Sequence, residues 1–173
     1  MSDSATLFLD RSREYLSARG SYFPRIEKAV AQLAPGDLWW RPNQASNSVG
    51  NLLLHLAGNL RQWVVHGVGG SADVRERQAE FDADAGTSAH ELLGRLRAAV
   101  EEAGAVLETL DPARLAQPVV IQGMETTVLG AIYHAVEHFS MHTGQILYIV
   151  KLRLGVDLGF YHIGQDGTAE EGW

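Results

Sequence analysis

Four stretches of the chain repeat apolar side chains at the three- and four-residue spacing of an α-helix. The first covers about residues 4 to 33, with Leu7, Tyr15, Leu16, Phe23, Ile26, Val30 and Leu33 on its apolar face. Gly20 and Pro24 predict a break or kink inside it, since proline removes a backbone donor and clashes with the preceding turn. Pro35-Gly36-Asp37 ends it, and Leu38-Trp39-Trp40-Arg41-Pro42 reads as a short turn with buried aromatics. A second helix is expected from Ser46-Asn47-Ser48, all good N-cap residues, to about His66, with Leu52, Leu53, Leu56, Leu60, Trp63 and Val64 inward. Gly67, Gly69 and Gly70 stop it.

A polar connection follows from Ser71 to Thr87, with Phe81 as its anchor to the body. Ser88-Ala-His-Glu91 is a capping box that opens a third helix, about 88 to 109, closed by Asp111-Pro112. Gln117 to Thr126 changes character: Val119-Val120-Ile121, then Gln122-Gly123, then Met124 to Thr127 predict a small hairpin or extended loop. The fourth helix runs from about Thr127 to Leu154 and ends at Gly155. Asp157 to Trp173 reads as a loosely ordered tail onto which Phe160 and Tyr161 can dock. Four long helices with one long crossover predict an all-α four-helix bundle over about 4–154, in one domain of 173 residues with a tail over about 155–173.

Composition narrows the chemistry. Cysteine is absent, which excludes disulfides, thiolate ligands and a cysteine nucleophile. The formal charge of -7, with no block of Lys or Arg, argues against nucleic acid as a partner. No apolar run approaches the roughly 18–20 residues that span a bilayer. The first ten residues lack the basic and apolar regions of a signal peptide, so a cytoplasmic protein is expected.

The histidines carry the candidate site. His138 and His142 are four residues apart, just over one turn, so their imidazoles share a helical face. His55 interrupts the leucine-rich face of the second helix. If the two faces meet, three neutral nitrogens converge on one divalent ion and leave a coordination position open, the layout of a catalytic rather than a structural metal centre. The alternative is three core histidines bonded to backbone, Asn59 or Gln145. His134, one turn before His138, is a candidate further ligand, ligand-orienting group or proton carrier. Asn59, Gln62 and Gln145 are candidates to accept the other ring N–H of a ligand. His66 and His90 have no useful neighbours, and Glu137 lies about 100° from His138 on the helical wheel.

Asn47-Ser-Val-Gly-Asn51-Leu-Leu-Leu-His55-Leu-Ala-Gly-Asn59, together with His138-x-x-x-His142-x-Gly-Gln145-Ile, resembles the DinB/YfiT-like superfamily over about residues 4 to 154. The resemblance implies an up-down-down-up four-helix bundle, frequent homodimers, and a divalent metal, commonly nickel or zinc, on His55, His138 and His142. It implies two activities: transfer of a low-molecular-weight thiol such as bacillithiol or mycothiol to an electrophilic small molecule, and metal-dependent hydrolysis of an amide or ester. Relatives often carry arginine after the last ligand; Thr143 stands there instead, so no role for that arginine is carried over. The subgroup tends to have arginines before a Glu-Phe pair in the crossover, here Arg75, Arg77, Glu80 and Phe81, which a salt bridge tying the crossover to the bundle explains better than substrate binding does. A thiol cofactor fits a chain without cysteine, and the absence of an obvious carboxylate base beside the ligands favours thiol transfer over hydrolysis. A third reading is a non-catalytic dimer in which the metal is structural or absent and the protein binds a small molecule or partner.

Overall fold

The computed structural model describes residues 4–20, 22–164 and 166–171. The predicted first helix is two: α1 (Ser4–Tyr15) and α2 (Phe23–Val30). Pro24 sits in the first turn of α2, where its missing N–H costs nothing, so it starts a helix and does not kink one. At Gly20 the chain folds back so tightly that a Cβ would lie on the Glu14 carbonyl oxygen.

Helix α3 (Val49–Leu60) begins at Ser48. Its Oγ accepts from Asn51 N, while the Asn51 side chain accepts from Ser48 N, a capping box built with asparagine. The rod continues to His66 with widened turns: Gly67 N–H donates to the Gln62 carbonyl five residues back. Such π-helical turns are rare and favour functional sites, and they replace the uniform helix expected up to His66.

The polar connection also contains structure, the short helix α4 (Arg77–Asp82). Helix α5 (Ala89–Thr109) opens with the Ser88–Glu91 box. Strands β1 (Pro118–Ile121) and β2 (Met124–Thr127) pair antiparallel, Ile121 opposite Met124. Their two-residue turn has positive φ at Gln122 (55°) and Gly123 (75°), the combination that matches strand twist in tight hairpins. Helix α6 (Val128–Leu154) is capped by Thr127 and closed by Gly155 in the left-handed region.

The expected loose tail is instead a second hairpin, β3 (Tyr161–Ile163) with β4 (Ala169–Glu171). Leu158 is buried, Lys28 donates to the Gly159 carbonyl, and Arg25 donates to the Tyr161 hydroxyl, so α2 anchors its start. Gln165, Gly172 and Trp173 of that tail lie outside the described residues.

Helix α3 packs on α5 and α6, α2 packs on α6, and α1 touches both α5 and α6. Phe23, Leu52, Leu53, Leu56, Leu96 and Phe139 fill the space between them. No described helix is long and apolar enough to cross a membrane.

Candidate metal centre

Where α3 and α6 face each other, His55, His138 and His142 meet. Their ligating nitrogens all lie within 4.8 Å of one another. His138 Nε2 is the centre of the trio, 3.0 Å from His55 Nε2 and 3.2 Å from His142 Nε2. Nitrogens held about 2.0–2.1 Å from one tetrahedral ion sit roughly 3.3–3.4 Å apart, so the two distances at His138 are close to those a shared cation would impose.

Proton counting gives the same answer. His55 Nδ1 lies 2.9 Å from Glu80 Oε2 and 3.1 Å from Arg75 Nη2. A carboxylate can only accept, so the shorter contact takes an Nδ1–H, and His142 Nδ1–H likewise donates to Gln145 Oε1 at 2.7 Å. A neutral imidazole carries one N–H, so both Nε2 atoms present bare lone pairs inward. His138 Nε2 faces both and can donate to only one of them. His138 Nδ1, moreover, is buried without a hydrogen-bond partner among the described residues. With its proton on Nε2, His138 satisfies one inward lone pair and leaves the other without a donor. With its proton on Nδ1, three lone pairs crowd together and that N–H has no partner among the described residues. A cation bound between the nitrogens would satisfy all three lone pairs.

Burial disfavours the charged forms of His138 and His142. It pulls the His138 imidazole down to about 3, with His142 and His55 adding to the effect. Burial also lowers His142, partly offset by the hydrogen bond to Gln145. Neutral imidazole is the ligating form, so the site is ready for a metal at neutral pH.

The sequence candidates divide on inspection. Gln145 contacts a member of the trio. Asn59 reaches His134, its Nδ2 lying 3.4 Å from Nε2, and Gln62 holds Arg75 Nη1 at 2.9 Å and Asp73 at 2.7 Å. His134 stacks on Trp63 with ring centroids 3.9 Å apart, and its ring lies 5.3 Å from that of His138. Burial lowers its pKa too. Glu137 is exposed, and His66 Nδ1–H donates to the Ser71 carbonyl.

Sequence reasoning missed Glu80 as a neighbour of the trio. It arrives on α4, buried, with Arg75 paired to both its oxygens at 2.6 and 2.7 Å. Burial raises the Glu80 carboxyl, but bonds from Arg75 and His55 outweigh it and hold the group below the usual carboxylate range. The available signal was Gly58, a helix-interior glycine one turn after His55 on the same face. A cavity of about 590 Å³ opens on the outer side of Arg75 and Glu80, with Leu54, Ala57 and Val74 in its wall; the three histidines do not line it.

Two solved structures share the fold. A conserved protein from Enterococcus faecalis is 18% identical, with a TM-score of 0.63 over 88% of this chain and 96% of its own. A DinB-like protein from Bacillus subtilis, YjoA, is also 18% identical, with a TM-score of 0.62 over 87% of this chain and 93% of its own. No curated protein matches the sequence. A family model described as "Protein of unknown function (DUF1572)" matches residues 3–164. Its fold is that of a DinB-like protein, and the chain belongs to the DUF1572 family.

Proposed function

We propose that this protein is a metal-dependent enzyme that transfers a low-molecular-weight thiol to an electrophilic small molecule, with His55, His138 and His142 as the metal ligands. One observation carries the reading: His55 Nε2 and His142 Nε2 both converge on His138 Nε2, at 3.0 and 3.2 Å, with one proton at most between each pair. A divalent ion, nickel or zinc, would supply Lewis acidity that lowers the pKa of a thiol or water bound to it.

The chain's own residues do the rest. Glu80 and Gln145 hold the Nδ1 protons of His55 and His142, fixing which nitrogen faces inward. His134, whose charged form burial disfavours and whose ring stacks on Trp63, is the proton acceptor for the thiol, with Asn59 Nδ2 giving up its 3.4 Å contact to the ring as the proton arrives. The sulfur lone pair then forms the new bond to the electrophilic carbon, and the leaving group departs with the electrons of the bond it breaks. Glu80 does not act as base, because Arg75 and His55 occupy both its oxygens. That favours thiol transfer, which needs a thiolate and a single deprotonation. Hydrolysis of an amide or ester is the second reading, favoured by His134, which can accept a proton from water and return it to a leaving group.

We read the packing of α3, α5, α6 and the α1–α2 pair as one domain, a four-helix bundle in up-down-down-up order. An exposed apolar stripe on α6, with Tyr133, Met141 and Tyr148, supports a homodimer.

Metal analysis of tag-free protein followed by thiol-consumption assays with a panel of electrophiles tests the function. Stoichiometric metal with thiol turnover supports the transferase. Metal with thiol-independent hydrolysis selects the second reading. Metal without turnover leaves a metal-stabilised binding protein, and wild-type protein that takes up neither nickel nor zinc overturns the metal site itself.

A further inference from the structure

We propose that Glu80 is a positioning residue for the metal centre: carried in by the crossover and locked by Arg75 over a notch at Gly58, it sets the tautomer and aim of His55. The inference rests on the metal reading above and concerns how the third ligand is held.

The first support is the notch. Gly58 lies in the interior of α3, where glycine costs about 1 kcal/mol relative to alanine. A Cβ there would fall 2.0 Å from Glu80 Oε1 and 2.8 Å from Arg75 Nε. The glycine therefore exists to let the ion pair descend onto the helix, on the face that carries His55.

The second support is that the carboxylate is surplus to docking. The crossover is already fastened through its backbone: Asn51 Nδ2 donates to the carbonyls of Glu80 at 2.9 Å and Ala83 at 2.6 Å, and Arg41 donates to those of Phe81 and Ala83. A simple tether needs no ionised pair with side chains only 4% and 10% exposed, because desolvating two charges offsets most of their attraction. What the carboxylate adds is the bond to His55 Nδ1. Arg75 in turn is held at Nη1 by Gln62, so the pair has one geometry. The Phe81 ring, 4.9 Å from that of His55, walls the imidazole from the same short helix. A carboxylate behind a ligating imidazole fixes ring orientation and raises ligand basicity, and losing such a partner typically weakens metal binding by about 10–100-fold.

The test reads the tautomer first and the metal second. Long-range ¹⁵N–¹H NMR of metal-free wild-type protein should show His55 protonated at Nδ1 and bare at Nε2; protonation at Nε2 overturns the proposal. Glu80→Gln should mix the two tautomers and weaken zinc and nickel binding by about 10–100-fold in chelator competition. Gly58→Ala, which keeps the carboxylate in the chain but displaces it, should lose affinity in the same direction with a folded circular-dichroism spectrum. Wild-type affinity in either folded variant sinks the inference. Failure of the wild type to bind metal sinks the metal reading instead, and the tautomer measurement still decides the role of Glu80.

Discussion

The two sides of the proposed metal centre are built by different means. On α6, two of the three histidines and the partner of one of them occur within eight residues, His138 to Gln145, so the helix itself sets their geometry. On α3, one ligand stands alone, and its partner comes from position 80, 25 residues along the chain, after a polar crossover has docked. The first side needs only a helix to form. The second needs tertiary structure, and its integrity depends on groups that touch no ligand.

The largest effect expected on that contrast comes from the shared centre. His138→Ala removes the nitrogen that both other rings face, and stoichiometric metal should vanish by elemental analysis while the helical spectrum persists; retained metal would break the three-ligand reading.

Asn51→Ala tests the α3 side at a distance. It removes a fully buried side chain that caps α3 and satisfies two crossover carbonyls, so a loss of about 2–4 kcal/mol is expected in chemical denaturation. Metal affinity should fall with it, because the crossover brings Glu80. A stable variant with unchanged affinity would show that docking and ligand positioning are separate.

Acid tests the nitrogen at the centre of the trio. Because His138 is lowered from its ordinary value near 6.5 to about 3 in the folded protein, the unfolded chain binds more protons between those values. Metal-free protein should therefore lose stability as pH falls from about 6.5 toward 3, and His138→Ala should flatten that slope in thermal melts. A slope of the opposite sign would rule out a neutral buried imidazole.

Gln145→Ala should have the smallest effect, a loss in metal affinity of no more than about tenfold by chelator competition, since water can replace an exposed amide behind His142. If it matched Glu80→Gln, the asymmetry between the two sides would collapse.

Legibility in the sequence follows the same division. The long helices, the Ser88 box, the β1–β2 hairpin and the stop at Gly155 are local, and period, cap and turn chemistry declare them. His138 and His142 follow from a spacing of four. Glu80 does not, because whether a polar crossover lies on α3 or in solvent depends on Asn51 and Arg41 finding its carbonyls. The widened turns after Leu60 and the terminal hairpin escaped for a related reason: periodicity cannot register one additional residue per turn, and Tyr161 to Glu171 lacks a strong alternation. Gly58 was in plain view; its meaning required knowing what approaches it.

The turn at Gln122 and Gly123 has a reach beyond its own hairpin. Gln122 Nε2 donates to Gln62 Oε1, the same oxygen that receives Arg75, and Arg75 grips the carboxylate behind His55. A solvent-facing tip is thus a few handholds from an imidazole deep in the protein. Anyone grafting a peptide or fluorophore into this molecule should choose the exposed β3–β4 hairpin and leave the β1–β2 hairpin alone, because lengthening that tip tugs on a line whose other end is His55.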